Sequence, residues 1–263
     1  MTAQIAERLE HALEVARAGG GFALERFRVP ELSVDRKSDG TPVTEADRGA
    51  ERVMREAISA RFPDDGIAGE EEAEQPGTSG FTWILDPIDG TRSFTRGVPL
   101  WGTLVAVEHA DEPGAPVIGV IRCPAARETA WAGRGLGAWA VWDEGEPRRA
   151  RVSDVALGEG TLSMTSSRWF AHHTSIATLE RTIFAAKSVR GWSDCYQHLL
   201  VATGRIEAAL DPGTEVWDNA ALLPIVEEAG GRFTTLDGER TVRGGSALTS
   251  NGRVHDELLA LLR

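Results

Sequence analysis

The chain has 263 residues, of which 41% are hydrophobic and eight are Trp, enough apolar material for a real core in one large domain or two packed ones. A formal net charge of -12 sets it against nucleic-acid backbones and anionic membranes as main partners, while suiting divalent cations. Cys123 and Cys195 are too few for a disulfide framework, no Cys/His cluster has zinc spacing, and neither a secretion signal nor an apolar run near the ~20 residues that span a bilayer is visible, so a cytoplasmic setting is expected.

Ile5, Leu9, Ala12, Leu13, Ala16 and Phe22 recur at close to helical spacing with charged residues between them, which predicts an amphipathic opening helix that Gly19-Gly20-Gly21 ends or bends. Residues 27–34 read as a connection into a strand, and residues 37–42 as turn chemistry. Thr44 is a good N-cap for a helix running to about Phe62, which puts Asp47 on its first turn. An acid there is equally explained by the helix dipole. Pro63-Asp64-Asp65-Gly66 is a turn, and residues 67–72 are a brief strand running into acids. Glu71, Glu72 and Glu74 read as solvated, whereas Glu70, directly after Gly69, is placed to point into the same mouth as Asp86.

The stretch Trp83-Ile84-Leu85-Asp86-Pro87-Ile88-Asp89-Gly90-Thr91-Arg92-Ser93-Phe94 organises the rest. Residues 83–85 read as the end of a buried strand, with Asp86 and Asp89 presented by a turn that Pro87 stiffens. Gly90 permits close backbone approach, and a helix opening at Thr91 would turn free N–H groups toward an anion. Beyond it, residues 100–108, 117–123, 128–132 and 138–142 form an antiparallel meander in which Trp131, Trp139 and Trp142 are packing residues. The polar, basic residues 147–151 are a boundary between two halves of one compact unit, 1–147 and 148–263.

The second half alternates strands and helices: strands at 161–165, about 187–189, 206–210 and 247–250, helices at about 172–184, 190–204, 216–229 and after Asn251 as N-cap. Pro224 is expected to bend its helix and Gly230-Gly231 to close it. This pattern predicts an α/β layer.

Asp47, Glu70, Asp86, Asp89 and Asp218 all fall at strand ends or helix starts. Oxygen-only ligation selects magnesium or manganese over zinc, and a pair of such ions roughly 3.5 to 4 Å apart can activate water and neutralise a leaving oxygen. Hydrolysis of a phosphate ester follows as one coherent reading. Spacing alone does not place Asp218 beside Asp86, and each acid at a helix start has a stabilising explanation as well.

At these residues the chain resembles the inositol monophosphatase family. The resemblance rests on Trp83-Ile84-Leu85-Asp86-Pro87-Ile88-Asp89-Gly90-Thr91, on Gly69-Glu70-Glu71 before it, and on Trp217-Asp218-Asn219-Ala220-Ala221 ahead of Glu227-Glu228-Ala229-Gly230-Gly231, in order across most of the chain. It implies a sugar-phosphatase fold, a five-layered αβαβα sandwich, with magnesium dependence, frequent lithium inhibition and a homodimer. Carried over by position, Glu70, Asp86 and the Ile88 carbonyl would hold one metal and Asp86, Asp89 and Asp218 a second, with a third, weaker ion near Glu70. Thr91 and Asp47 would activate the attacking water, and the Gly90 and Thr91 amides would hold the phosphate.

Where inositol-specific members carry small residues, this chain reads Gly191-Trp192-Ser193-Asp194-Cys195-Tyr196. That segment, with Arg96-Gly97-Val98-Pro99-Leu100-Trp101, the stretch from Lys37 to Asp47, and Leu200-Val201-Ala202-Thr203-Gly204-Arg205, resembles the histidinol-phosphate phosphatases within the family. The expected substrate is therefore a small phosphomonoester, histidinol phosphate, with an inositol phosphate or bisphosphonucleotide as the rival and a metal-responsive binding module as the non-enzymatic alternative. Asp194 and Asp211 suit a substrate carrying an ammonium and an imidazole. Arg190, Arg92 and Ser166 are further candidate contacts, and Trp192 and Tyr196 are open between substrate contact and packing against the neighbouring half.

Overall fold

A computed structural model describes residues 1–29, 34–36, 42–143, 145–192 and 194–263. The predicted turn at 37–42 falls outside them except for Pro42, as does Ser193 of the divergent segment.

Helix α1 (Thr2–Leu24) is followed by the antiparallel pair of β1 (Val34–Arg36) and β2 (Pro42–Thr44), then by α2 (Glu45–Arg61). Contrary to expectation, α1 continues through its three glycines. Gly19 is buried against α2, where a Cβ would lie 2.5 Å from Met54 Sδ, so glycine here permits close helix approach and does not end the helix.

Strands β3 (Gly66–Gly69) and β4 (Phe81–Asp89), the short helix α3 (Thr91–Thr95), and strands β5 (Gly102–His109), β6 (Ile118–Cys123), β7 (Glu128–Gly133), β8 (Gly137–Trp142) and β9 (Arg148–Arg149) complete the first half. They form one sheet in the order β3-β4-β5-β6-β7-β8-β9, parallel only between β3 and β4. The predicted meander is its centre. β4 does not end at Leu85 but runs through Pro87 to Asp89. The β4–β5 register shifts between Asp86 and Asp89, a bulge that spares the ladder the amide proline lacks, and the Pro87 carbonyl accepts from Thr103 Oγ1 at 2.8 Å. β9 adds an edge strand inside the region read as a boundary.

The second half runs β10 (Thr161–Met164), α4 (Ser167–His173), α5 (Ile176–Ala185), β11 (Ser188–Arg190), α6 (Asp194–Ala202), β12 (Ala208–Pro212), α7 (Val216–Ala220), α8 (Leu222–Glu228), β13 (Arg232–Thr234), β14 (Ser246–Ser250) and α9 (His255–Leu262). The strands order as β11-β10-β12-β14-β13, with the first three parallel. The single helix expected at 172–184 is two, because Ser175 caps α5 through the Thr178 amide. The helix holding Pro224 is likewise two, broken at Ala221, so the proline sits in the first turn of α8, where it costs no hydrogen bond. Asn251 caps only the turn before α9, accepting from the Val254 amide at 3.2 Å; the helix itself starts at His255.

Apolar side chains stack these elements into five layers. Ile5, Leu9 and Met54 of α1 and α2 pack on Trp83, Leu85 and Val105 of the first sheet. Its other face, with Ile84, Leu104 and Ile121, meets Leu199 of α6 and Leu222 and Ile225 of α8. The outer face of the second sheet, with Leu162 and Leu210, packs on Phe170 of α4 and Leu258 of α9. The expected αβαβα order results, and the acid-bearing ends of β4 and the starts of α2, α6 and α7 are brought to one place.

Candidate active site

One carboxylate oxygen from each of Asp86, Asp89 and Asp218 lies within 4.8 Å of the others. Two of these acids come from the end of β4 and one from the first turn of α7. Glu70 follows β3, and its amide donates to the Leu85 carbonyl at 3.2 Å, which sets it beside β4 next to Asp86. Asp86 is buried, and among the described residues its Oδ1 has no hydrogen-bond partner. A buried carboxylate oxygen with no donor is costly unless a cation completes it.

The charges in the cluster work against one another. Burial, and then repulsion from Glu70, Asp89, Asp218 and Asp47, holds Asp86 well above the usual carboxylate range. Asp89 is raised by burial and by Asp194 and Asp218. Burial with Glu70, Asp211 and Asp194 pushes Asp218 up to about 7, although the Glu215 amide opposes this. An all-oxygen set that repels itself fits hard divalent cations, so the residues present fit a magnesium-type site.

Three of the acids, Asp47, Asp89 and Asp218, are also fixed by a helix start. Asp47 Oδ2 accepts from the Thr44 amide at 2.8 Å and the Thr44 hydroxyl at 2.6 Å, in the capping box of α2. Asp218 Oδ2 accepts from the Glu215 amide at 2.7 Å in the corresponding box of α7. Asp89 Oδ2 accepts from the Cys195 amide at the start of α6. The stabilising and chemical readings of these acids therefore do not compete: one oxygen anchors a helix, and the other is left for the site.

Gly90 takes φ 88°, the left-handed conformation that lets β4 turn into α3. Thr91 Oγ1 lies 3.1 Å from the Ile88 carbonyl and 3.5 Å from Asp47 Oδ1. Burial outweighs the Thr44 hydrogen bonds and pushes Asp47 up to about 6. A Cβ at Gly90 would lie 2.8 Å from Asp194 Oδ2, so this carboxylate overhangs the β4–α3 turn.

A model of the inositol monophosphatase family matches residues 4–263. The chain belongs to the inositol monophosphatase family. It is 45% identical over 251 residues to the histidinol-phosphatase of Chlorobaculum parvum, covering 92% of this chain and 94% of that protein. To the histidinol-phosphatase of Mycobacterium tuberculosis it is 41% identical over 255 residues, covering 95% and 96%. The crystal structure of the extragenic suppressor protein suhB from Bartonella henselae superposes with a TM-score of 0.88 at 27% identity, covering 98% of both chains.

The other predicted contacts fall into two groups. Asp211, at the end of β12, accepts through Oδ2 from Thr165 Oγ1 at 2.8 Å and Gln197 Nε2 at 3.3 Å. Arg190 is exposed and donates to the Val189 carbonyl, Arg92 is exposed on α3, and Ser166 Oγ accepts from the Trp169 amide as the cap of α4. Among the described residues, none of these three is bonded to the acids. Trp192 packs beside Leu200 and Val201, and Tyr196 OH donates to Glu128 Oε1 of β7 at 3.0 Å, so both pack, Tyr196 across the two halves.

Glu51 carries no signal of its role in the sequence. This buried acid on α2 accepts from the Glu71 and Glu72 amides at 2.8 and 3.1 Å and pairs with Arg55 at 2.8 Å, which fixes the backbone around Glu70. The Glu51-Arg55 spacing of one helical turn looks like a solvated surface pair; only the β3 contact gives it meaning. Glu72 and Glu74 are exposed as expected, but Glu71 is half-buried and its charge acts on Asp47.

Proposed function

We propose that this protein is a magnesium-dependent histidinol-phosphatase, hydrolysing L-histidinol phosphate to L-histidinol and phosphate as a step of histidine biosynthesis. The relatives named above support the reaction. The observation that carries the substrate is the Asp194 carboxylate overhanging Gly90. In histidinol phosphate the ammonium sits on the carbon next to the ester CH₂, so a site for it must lie beside the phosphate cradle. An acid there suits an amino alcohol and offers nothing comparable to a neutral polyol.

Glu70, Asp86, Asp89, Asp218 and the Ile88 carbonyl are the residues that would hold two divalent cations, with a third near Glu70; manganese fits the same oxygen donors. Such cations, when bound, neutralise the phosphate and lower the pKa of water. The chain's own contribution begins with the Gly90 and Thr91 amides, which bind the phosphate at the start of α3. Thr91 orients the attacking water, whose oxygen bonds to phosphorus as the ester P–O bond breaks in line, and the departing alkoxide takes a proton from solvent to give the alcohol. The water's proton passes to the Thr91 hydroxyl as that hydroxyl's proton moves to Asp47 Oδ1, 3.5 Å away. With its pKa near 6, Asp47 is ionised at neutral pH and still basic enough to accept it. Glu70 helps position the same water. Asp211 is proposed to join Asp194 on the ammonium side of the substrate. Family resemblance extends the proposal to lithium inhibition and to a cytoplasmic homodimer.

Growth tests the assignment. A bacterial strain lacking its histidinol-phosphatase should grow without histidine when it carries this chain, and not when it carries Asp86→Asn. Failure of the intact, expressed chain to restore growth contradicts the proposal.

A further inference from the structure

Thr165 lies just beyond β10 and is neither a metal ligand candidate nor a group that meets the phosphate. Its hydroxyl is nevertheless fully used. It donates its only proton to Asp211 Oδ2 at 2.8 Å, and it accepts from the Asp194 amide at 3.2 Å and from Gln197 Nε2 at 3.0 Å. A hydroxyl has one donor and two acceptor positions, so all three are filled, and two of the partners are the acids assigned to the substrate.

Gln197 shows how strictly this hub is built. It is fully buried, and its amide nitrogen serves both Thr165 and Asp211 while its Oε1 has no partner among the described residues. Turning the amide over would aim its oxygen at Asp211 Oδ2 and force two acceptors together, so the orphaned Oε1 is the consequence of keeping the nitrogen on the acid. Behind the acid, His198 Nε2 lies 4.0 Å from Asp211 Oδ2, with its Nδ1 2.7 Å from Thr249 Oγ1. Asp211 Oδ2 is thereby committed on the inner side, and among the described residues Oδ1 has no hydrogen-bond donor.

Asp194 depends on the same hydroxyl through its backbone. Its φ of 51° is left-handed, a conformation unfavourable for a residue with a Cβ, and it persists where neighbouring bonds over-determine it. The amide bond to Thr165 and the next amide's bond to Asp89 hold the backbone on both sides, and the result is a carboxylate aimed over Gly90.

We propose that Thr165 is the positioning residue of a two-carboxylate cation subsite, fixing the Asp194 backbone and the Asp211 side chain through one hydroxyl so that the ammonium of a 2-amino-alcohol phosphate is read beside the phosphate cradle. This rests on the histidinol-phosphatase reading and adds the residue that makes the subsite selective. Thr165 touches no reacting atom, so its removal changes substrate choice and leaves the hydrolytic step.

The test compares histidinol phosphate with N-acetylhistidinol phosphate, which differs in lacking the ammonium charge, on wild type, Thr165→Val and Thr165→Ser. Wild type should prefer the amine. In Thr165→Val, KM for histidinol phosphate should rise about tenfold, as for loss of a hydrogen bond to a charged group. Its kcat and its KM for the acetylated substrate should stay within about twofold, and Thr165→Ser should restore the preference. Calorimetric titration with histidinol, which reports binding without turnover, should show the same loss and rescue. A wild type that prefers the acetylated substrate overturns both the function and this inference. A wild-type preference retained by a folded Thr165→Val, or lost equally for both substrates, overturns the inference alone; if the valine variant does not fold, the same criteria apply to Gln197→Glu, which places an acceptor against both Thr165 and Asp211.

Discussion

Replacing Asp86 by Asn removes one oxygen charge and almost no volume, and the structure makes its effect on stability opposite in sign to its effect on activity. Asp86 Oδ1 is buried without a donor, and four acids raise its proton affinity beyond the effect of burial. In metal-free protein an Asn amide would find acceptors in those acids, so the variant should be more stable than wild type by about 1–3 kcal/mol, the cost of an unsatisfied buried polar group. At roughly 2–4 °C per kcal/mol for a chain of this size, its melting point in chelator should rise by about 2–10 °C. With magnesium at about 100 times Kd, wild type should gain roughly 2.7 kcal/mol by mass action and the variant little. Scanning calorimetry at pH 7.5, with chelator and then with magnesium, reads both effects, and phosphate release should be lost. A variant less stable than wild type in chelator, or one that keeps the magnesium gain, would refute a shared, cation-requiring Asp86.

Gly69→Ala should place a Cβ 2.1 Å from Glu51 Oε1, displacing the acid that holds the Glu71 and Glu72 amides. Turnover should fall on the order of 100-fold, as for a displacement of about 1 Å at a catalytic group, while the fold persists; unchanged kcat contradicts it. Asp65→Ala leaves Arg8, which now bonds Asp65 twice at 2.8 Å, and the Trp83 indole N–H buried without hydrogen-bond partners, and denaturant titration should show a loss of about 3–5 kcal/mol. His255 is buried between Thr234 and Ser250, and burial with the nearby Arg232 pushes its pKa from 6.5 down to about 4. The folded state thus prefers the neutral ring, so its contribution is complete above pH 6.5 and is lost as pH falls toward 4, by about 3 kcal/mol. Denaturant titrations of wild type and His255→Gln at pH 7 and pH 4.5 should show a smaller acid loss in the variant, and equal losses speak against it.

What could be seen in the sequence was local. Thr44 and Asp47 form a cap within four residues, the meander strands alternate with turns, and β4 carries its acids in one stretch. What the sequence did not disclose depends on contacts across the chain. Pro87 normally argues against a central strand, and only the bulge opposite β5 accommodates it. Gly19 looks like a helix end until Met54 is placed against it. β9 and β13 are two and three residues long, too short to carry a period. At the site, Asp218 was recognisable through the resemblance alone, because spacing cannot bring α7 to β4. Thr165, Gln197 and Glu51 gave no signal, since a hydroxyl, an amide and a surface-like ion pair acquire their roles only when the second sheet and α2 close on the acids.

In the proposed reaction, four acids and a Thr91–Asp47 pair hydrolyse a phosphomonoester whose alcohol carries an ammonium. Steady-state phosphate release by purified protein from histidinol phosphate and from inositol 1-phosphate, each with magnesium and with chelator, tests it most directly. Turnover should depend on magnesium, with kcat/KM higher for histidinol phosphate by at least about tenfold, the scale of one charge-assisted contact. Turnover that persists in chelator, or faster release from inositol 1-phosphate, would contradict it.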